Sequence, residues 1–232
     1  TRVAEAKKTR SAVTIKTVAN EKEEKLTFDK LLVAVGRRPL TRDLGLEESG
    51  IKTDPRTGQV LVNESYCTNI KGIYAIGDLI PGPMLAHKAS AEGIAAVECM
   101  AGLPGEVNYD TIPAIVYTWP EVSSVGLTEE QVKERGIPYC VGTYPFSGTG
   151  RARAMGEKDG FVKMITQAKS DRILGVHIIG PRAADMIAES VLGMQFNASS
   201  EDIARTIHGH PTFAEALQEA AINVRKCSIY AT

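Results

Sequence analysis

His208-Gly209-His210-Pro211-Thr212-Phe213-Ala214-Glu215, close to the C-terminal end of the 232-residue sequence, is the stretch around which the rest is read. Two of the four histidines stand here, with a carboxylate five residues after the second. Proline disfavours the α region for the residue before it, so Pro211 sets His210 on extended backbone at the mouth of the next segment. That segment has helical spacing. Phe213, Ala216, Leu217, Ala220 and Ala221 recur along one face, with Pro211 or Thr212 at the start, where a missing N–H costs nothing. A histidine on a stiff turn, with a glutamate in the next helical turn, can act as a base oriented by a carboxylate. Thr212-x-x-Glu215 is also a capping box, which by itself accounts for Glu215. Spacing alone leaves both readings open.

Around this stretch the composition is that of a soluble globular protein: 43% hydrophobic and 24% charged residues suffice for a core and argue against disorder. A net charge of -1 leaves no electrostatic footprint for nucleic acid. No apolar run approaches membrane-spanning length, and the N-terminus lacks the basic-then-apolar layout of a signal peptide. Cys67, Cys99, Cys140 and Cys227 are scattered singly, without Cys-x-x-Cys, zinc spacing or a disulfide framework. No metal site is expected, and the pattern fits a reducing interior, either bacterial cytoplasm, which is preferred, or mitochondrial matrix.

Taken in order, the chain starts at Thr1 without an initiator Met and leads through a charged segment into a strand, Ser11 to Val18, that alternates as a half-buried strand would. Asn20 to Glu24 reads as its turn, and Lys25 to Phe28 and Leu31 to Val35 as further strands, the latter apolar enough to be buried. Gly36-Arg37-Arg38-Pro39 ends that run, and a glycine there permits close approach of a ligand or of another backbone. Residues 41 to 71 are turn-rich. Gly72-Ile73-Tyr74-Ala75-Ile76-Gly77-Asp78 has the shape of a buried parallel strand with an acid at its C-terminal edge, where open α/β sheets bind ligands. Asp78 in such a place needs a donor such as a ribose or ribityl hydroxyl. A helix is expected from Leu85 to Met100, with N-terminal amides able to receive a negatively polarised cofactor atom.

From Asn108 the grammar becomes α+β. Ile112 to Thr118, Val122 to Val125, Tyr139 to Pro145, Phe161 to Thr166 and Ile173 to Ile179 read as strands of an antiparallel sheet. Thr128 opens a short helix with its own capping box, Ala183 to Phe196 forms a longer one, and Ser199 caps another. The stripe Met186, Ile187, Val191 and Met194 on the longer helix suits either the core or a subunit contact.

Read together, these motifs resemble the dihydrolipoamide dehydrogenases, a family of flavoprotein disulfide reductases, over almost the whole chain. His-x-His-Pro-Thr-x-x-Glu resembles their C-terminal signature. Leu31 to Pro39 is similar to the last strand of their NAD domain, and Ile73 to Asp78 with Gly82-Pro83-Met84-Leu85-Ala86-His87-Lys88-Ala89 to their FAD-contacting domain. Tyr109 to Thr118, Pro120-Glu121-Val122, Asp171 to His177 and the His-Pro stretch resemble their dimerisation domain. The resemblance implies three parts: residues 1–40 as the end of an NAD-binding domain, 41–108 as a central FAD-contacting domain, and 109–232 as an α+β dimerisation domain. The fold class so implied is α+β, preceded by the C-terminal parts of Rossmann-like α/β domains.

The same resemblance implies FAD and NAD as cofactors, a homodimer, and lipoyl domains of 2-oxo acid dehydrogenase complexes as partners. Asp78 would bind the ribityl chain of FAD, and the backbone of Met84, Leu85, Ala86 and His87 would lie against the flavin. Gly36 would stand beside NAD, and Val3 would touch the adenosine. His210 would deprotonate dihydrolipoamide with Glu215 orienting it, while the ring of His208 points elsewhere. Gly-x-Gly-x-x-Gly and Cys-x4-Cys, which the family carries in its N-terminal half, do not occur, so the chain is expected to be a C-terminal half that is inactive alone. A glutathione reductase-like enzyme and a dimerisation module without chemistry are the competing readings.

Overall fold

A computed structural model describes residues 1–226, which fall into two units, Thr1–Ala96 and a second from Val97 onward; Cys227 lies outside the described residues. In the first unit, β1 (Arg2–Lys8), β2 (Val13–Ala19) and β3 (Lys22–Phe28) form an antiparallel sheet with β2 in the centre. Ile15 and Thr17 alternate inward on β2 and are buried, as the sequence pattern required. The expected turn contracts to Asn20 and Glu21, both at positive φ, which matches the twist of a two-residue hairpin and frees Lys22 to Glu24 for β3. All of β1 is exposed, so its strand carried no apolar alternation to read.

Two expected strands are absent. Leu31 to Val35 forms no strand, and Leu32 and Val35 are 88% and 90% exposed. A parallel strand is buried only when neighbours complete its ladder and helices cover both faces. No strand among the described residues pairs with it. Gly72 to Asp78 likewise makes one isolated bridge, Tyr74 to Cys67, and ends in a single 3-10 turn, Gly77–Leu79, that carries Asp78.

What holds that turn is a buried ion pair on α1 (Ala86–Met100). Lys88 and Glu92, one helical turn apart, are fully buried with Nζ and Oε1 2.9 Å apart. Glu92 Oε2 accepts the Gly77 N–H at 2.7 Å, and Lys88 Nζ donates to the Gly77 carbonyl at 3.2 Å. Gly77 (φ +69) lies so close to the helix that a Cβ would stand 3.0 Å from that of Ala89.

The second unit is built on β4 (Ala114–Val116), β5 (Glu121–Gly126), β6 (Tyr139–Pro145), β7 (Phe161–Gln167) and β8 (Ile173–Gly180), in the antiparallel order β4-β5-β8-β7-β6. The expected strands are present, with the first shortened to three residues. The helices are α2 (Glu129–Glu134), α3 (Gly150–Met155), α4 (Ala183–Gln195), α5 (Ser200–Arg205) and α6 (Glu215–Asn223). Capping boxes at Thr128 and Ser199 start α2 and α5. Val125, Val162, Met164, Val176 and Ile178 of the sheet pack with Ile187 and Met194 of α4 and with Ala216, Leu217, Ala220 and Ala221 of α6. The stripe on α4 therefore faces the core, with Met186 and Val191 at its margin. Gly142 lets α6 come down onto β6, since a Cβ there would meet the Ala220 carbonyl oxygen at 2.1 Å. Among the described residues no helix is long and apolar enough to cross a membrane.

Lys88→Met would leave the Glu92 carboxylate buried without its counter-charge, and is expected to cost about 3–5 kcal/mol in stability. Denaturant titration of the variant checks this, and an unchanged midpoint would refute the clamp.

Candidate active site

The His-Pro stretch is fixed at its far end by apolar packing. Phe213 is buried, and its ring stands edge-on to Phe146 at 6.1 Å between centroids. α6 begins only at Glu215, later than Pro211 or Thr212, and Ala214 at its N-cap offers no side-chain cap. The capping box forms by one arm. Glu215 Oε2 accepts the Thr212 N–H at 2.8 Å, but the Thr212 hydroxyl turns back to donate to the Gly209 carbonyl at 2.7 Å. With Thr212 outside the helix, its hydroxyl donates within the turn and accepts no amide of α6 as a cap.

The other oxygen of Glu215 reaches His210. Oε1 and His210 Nδ1 are 2.8 Å apart, with the imidazole 77% exposed and the carboxylate largely covered. A carboxylate only accepts, so Nδ1 carries a proton, and the tautomer that this bond selects has Nε2 as its lone-pair acceptor on the exposed ring. A base needs its free nitrogen outward and its charged form supported from behind, and this pair provides both. Glu215 thus holds the His210 imidazole and the turn together, so the contacts that both readings of the sequence require coexist.

His208 points away from His210, as expected. Its Nε2 lies 2.8 Å from Glu189 Oε1 on α4, and its Nδ1 lies 2.9 Å from the Thr206 carbonyl oxygen. Gln218 of α6 donates to the same Thr206 carbonyl at 2.8 Å and to that of Ala204 at 3.1 Å. No local pattern marked Glu189 or Gln218, because both lie many residues from the loop they hold.

In the first unit, Asp78 is half-buried, and its Oδ2 meets the exposed Arg37 guanidinium at 2.8 Å. That contact brings the segment of Gly36 (φ +89) to the Asp78 turn, and a side chain at Gly36 would enter open space. Met84 and Leu85 are half-buried ahead of α1, and Ala86 and His87 open the helix on its exposed side. Val3 sits exposed on β1, paired across to Thr17. As in any helix, the first-turn amides of α1 point toward its open end. A carboxylate acceptor and helix N-terminal donors tied together through Gly77, Lys88 and Glu92 suit a polyhydroxyl chain leading to a polar ring. The Arg37 pair is exposed enough to yield at a cost of about 0–1 kcal/mol. Of these groups Lys88, Glu92 and Arg37 were missed as site residues; the i,i+4 spacing of Lys88 and Glu92 was legible, their burial was not.

Two family profiles match the chain. Residues 1–93 match "Pyridine nucleotide-disulphide oxidoreductase", and 112–221 match its dimerisation domain. The chain is 50% identical over 210 residues to a mitochondrial dihydrolipoyl dehydrogenase of Pisum sativum, and 52% over 208 residues to that of Sus scrofa. Each alignment covers 90% of this chain and, respectively, 42% and 41% of the relative. It is also 50% identical over 210 residues to a leghemoglobin reductase of Glycine max, covering 90% of this chain and 40% of that protein. Among solved structures, LpdA from Mycobacterium tuberculosis superposes with a TM-score of 0.86 at 25% identity, over 95% of this chain and 47% of that one. The HOCl-induced flavoprotein disulfide reductase RclA of Escherichia coli, as its Cu(II) complex, gives 0.85 at 27%, over 95% and 49%. The chain spans about two fifths of the length of the curated relatives it matches. On these matches, and on the sheet and helices that carry them, the chain belongs to the pyridine nucleotide-disulphide oxidoreductase family.

Proposed function

We propose that this chain supplies the thiol-deprotonating base and part of the flavin site of a dihydrolipoyl dehydrogenase, which oxidises protein-bound dihydrolipoamide and passes the electrons to NAD. The observation that carries the reading is the 2.8 Å contact between Glu215 Oε1 and His210 Nδ1, with the far side of the ring open. Thiolate, not thiol, is the nucleophile, and an ordinary thiol is mostly protonated at neutral pH. His210 Nε2 takes the proton of the substrate thiol, and the Glu215 carboxylate stabilises the imidazolium that results. Because Glu215 is itself held by the Thr212 N–H, the ring starts from one tautomer and keeps one orientation through the transfer. The disulfide that the thiolate attacks belongs to residues outside this sequence.

In this reading Asp78 holds the ribityl hydroxyls of FAD, the backbone of Met84 to His87 faces the flavin, Gly36 stands by NAD, and Val3 reaches the adenosine. FAD, when bound, relays electrons from the dithiol chemistry to NAD. Residues 1–40, 41–108 and 109–232 correspond to the NAD-binding, FAD-contacting and dimerisation parts. The substrate arrives on lipoyl domains of 2-oxo acid dehydrogenase complexes, in bacterial cytoplasm or, as in the pea and pig relatives named mitochondrial, in the matrix. The likeness to RclA keeps a sibling disulfide reductase as the second reading, and the two differ in which disulfide compound is turned over.

A homodimer is part of the proposal. The dimerisation profile supports it, as do the exposed Tyr117, Trp119, Leu192 and Phe196, large apolar side chains of the kind that an obligate interface covers. Light scattering at working concentration is expected to give twice the chain mass, and a monomer throughout would contradict it.

In the complete flavoenzyme, His210→Gln is expected to lower turnover of dihydrolipoamide by about 10²- to 10⁴-fold, the range for a positioned base. NADH oxidation by an artificial electron acceptor should persist, since it needs no thiol deprotonated. Equal loss of both activities in a variant that keeps its flavin would reject His210 as the base.

A further inference from the structure

His208 has both ring nitrogens against acceptors. The Thr206 oxygen is a carbonyl and Glu189 is a carboxylate, so a neutral imidazole, with one N–H, satisfies only one of them. A proton shared by this pair rests on the ring, because an ordinary imidazole is the stronger base by about two pH units. We propose that His208 is a positioning residue, a doubly protonated imidazolium clipped between the Thr206 carbonyl and Glu189, that holds the 206–210 segment against α4 and so sets where His210 presents its base. The inference rests on the reading of His210 as the base.

Three elements meet in this clip. Glu189 comes from α4, Gln218 from α6 secures the same Thr206 carbonyl, and the His208 ring, only 5% exposed, is largely screened from water. The charged groups around it are consistent with a cation. Glu215 of α6 adds attraction, while Arg151, Arg182 and Asp185 lie around the cavity of about 410 Å³ that Glu189 lines with Pro211 to Ala214. Arg182 is itself paired with Asp185, at 3.0 Å. His210, two residues along, turns its own Nδ1 to Glu215 instead. The hydrogen bond to Glu189 holds the His208 ring above its ordinary value of 6.5, with burial pulling the other way.

A raised pKa contributes stability that is complete below the unfolded value and is lost as pH rises through the folded one. The gap in Tm between the native enzyme and Glu189→Gln should therefore be widest at about pH 5–6 and close as pH rises past the ordinary histidine range.

The complete flavoenzyme, labelled with ¹⁵N-histidine, tests the clip directly. At pH 7 both nitrogens of His208, assigned by their loss in His208→Gln, should resonate as protonated. In Glu189→Gln the amide can donate to Nε2, so the ring should be neutral while the clip geometry and turnover survive. His208→Phe, which has no hydrogen bond to give, should lose about 10- to 100-fold in kcat for dihydrolipoamide, as a misplaced base does. Its NADH oxidation by an artificial acceptor should stay at the native rate. If His208→Phe does not fold, Glu189→Leu breaks the clip from the other side and should show the same split. A singly protonated His208 at pH 7, or native kcat in a clip-breaking variant, would overturn the proposal. The nitrogen shifts decide the clip whether or not His210 is the base, so failure here is distinct from failure of His210→Gln.

Discussion

The division of the Glu215 carboxylate between His210 and Thr212 is the contact that sets how the second unit presents its exposed imidazole. One oxygen fixes the tautomer of an exposed imidazole, and the other holds the backbone of the turn that carries it. Neither bond would be worth much alone on a surface, because exposed pairs exchange readily with water. They matter here because Phe213 buries its ring against Phe146 and α6 is lowered onto β6 at Gly142, so the carboxylate arrives from a rigid element. Hydrophobic burial fixes the helix, the helix fixes the carboxylate, and the carboxylate fixes the imidazole of His210.

A comparable device recurs in the first unit with the chemistry inverted. There the ion pair of Lys88 and Glu92 is fully buried; it clamps both backbone groups of Gly77 and thereby the turn that bears Asp78. In each unit a charged group on a helix determines where a loop residue stands. The difference lies in exposure. The imidazole that presents a free nitrogen faces solvent, as His210 does, while the pair that holds backbone is covered.

Much of the second unit was legible in the sequence because its signals are local. Short apolar runs between turn signals located β5 to β8, and Thr128 and Ser199 announced their helices as caps, both of which form capping boxes. The failures have one cause. Leu31 to Val35 and Gly72 to Asp78 read as buried strands on hydrophobicity, but a parallel strand exists only through its neighbours, and none lies beside them among the described residues. At the candidate site, His210 and Glu215 were found from spacing and resemblance. Glu189, Gln218 and Arg37 were not, since long-range partners of a loop leave no mark at any fixed offset. The half-formed box at Thr212 lies between these cases: the spacing was right, but the hydroxyl donates to the Gly209 carbonyl instead of accepting a helix amide.

If Glu215 acts on catalysis through His210, the two side chains form one unit and their losses cannot be independent. A double-mutant cycle in the complete flavoenzyme, reading kcat with dihydrolipoamide for His210→Gln, Glu215→Gln and the pair, tests this most directly. The expected result is that Glu215→Gln slows an enzyme that has His210 and leaves the rate of His210→Gln unchanged. Losses that multiply in the double variant would contradict the dyad and return Glu215 to a purely structural part in the turn.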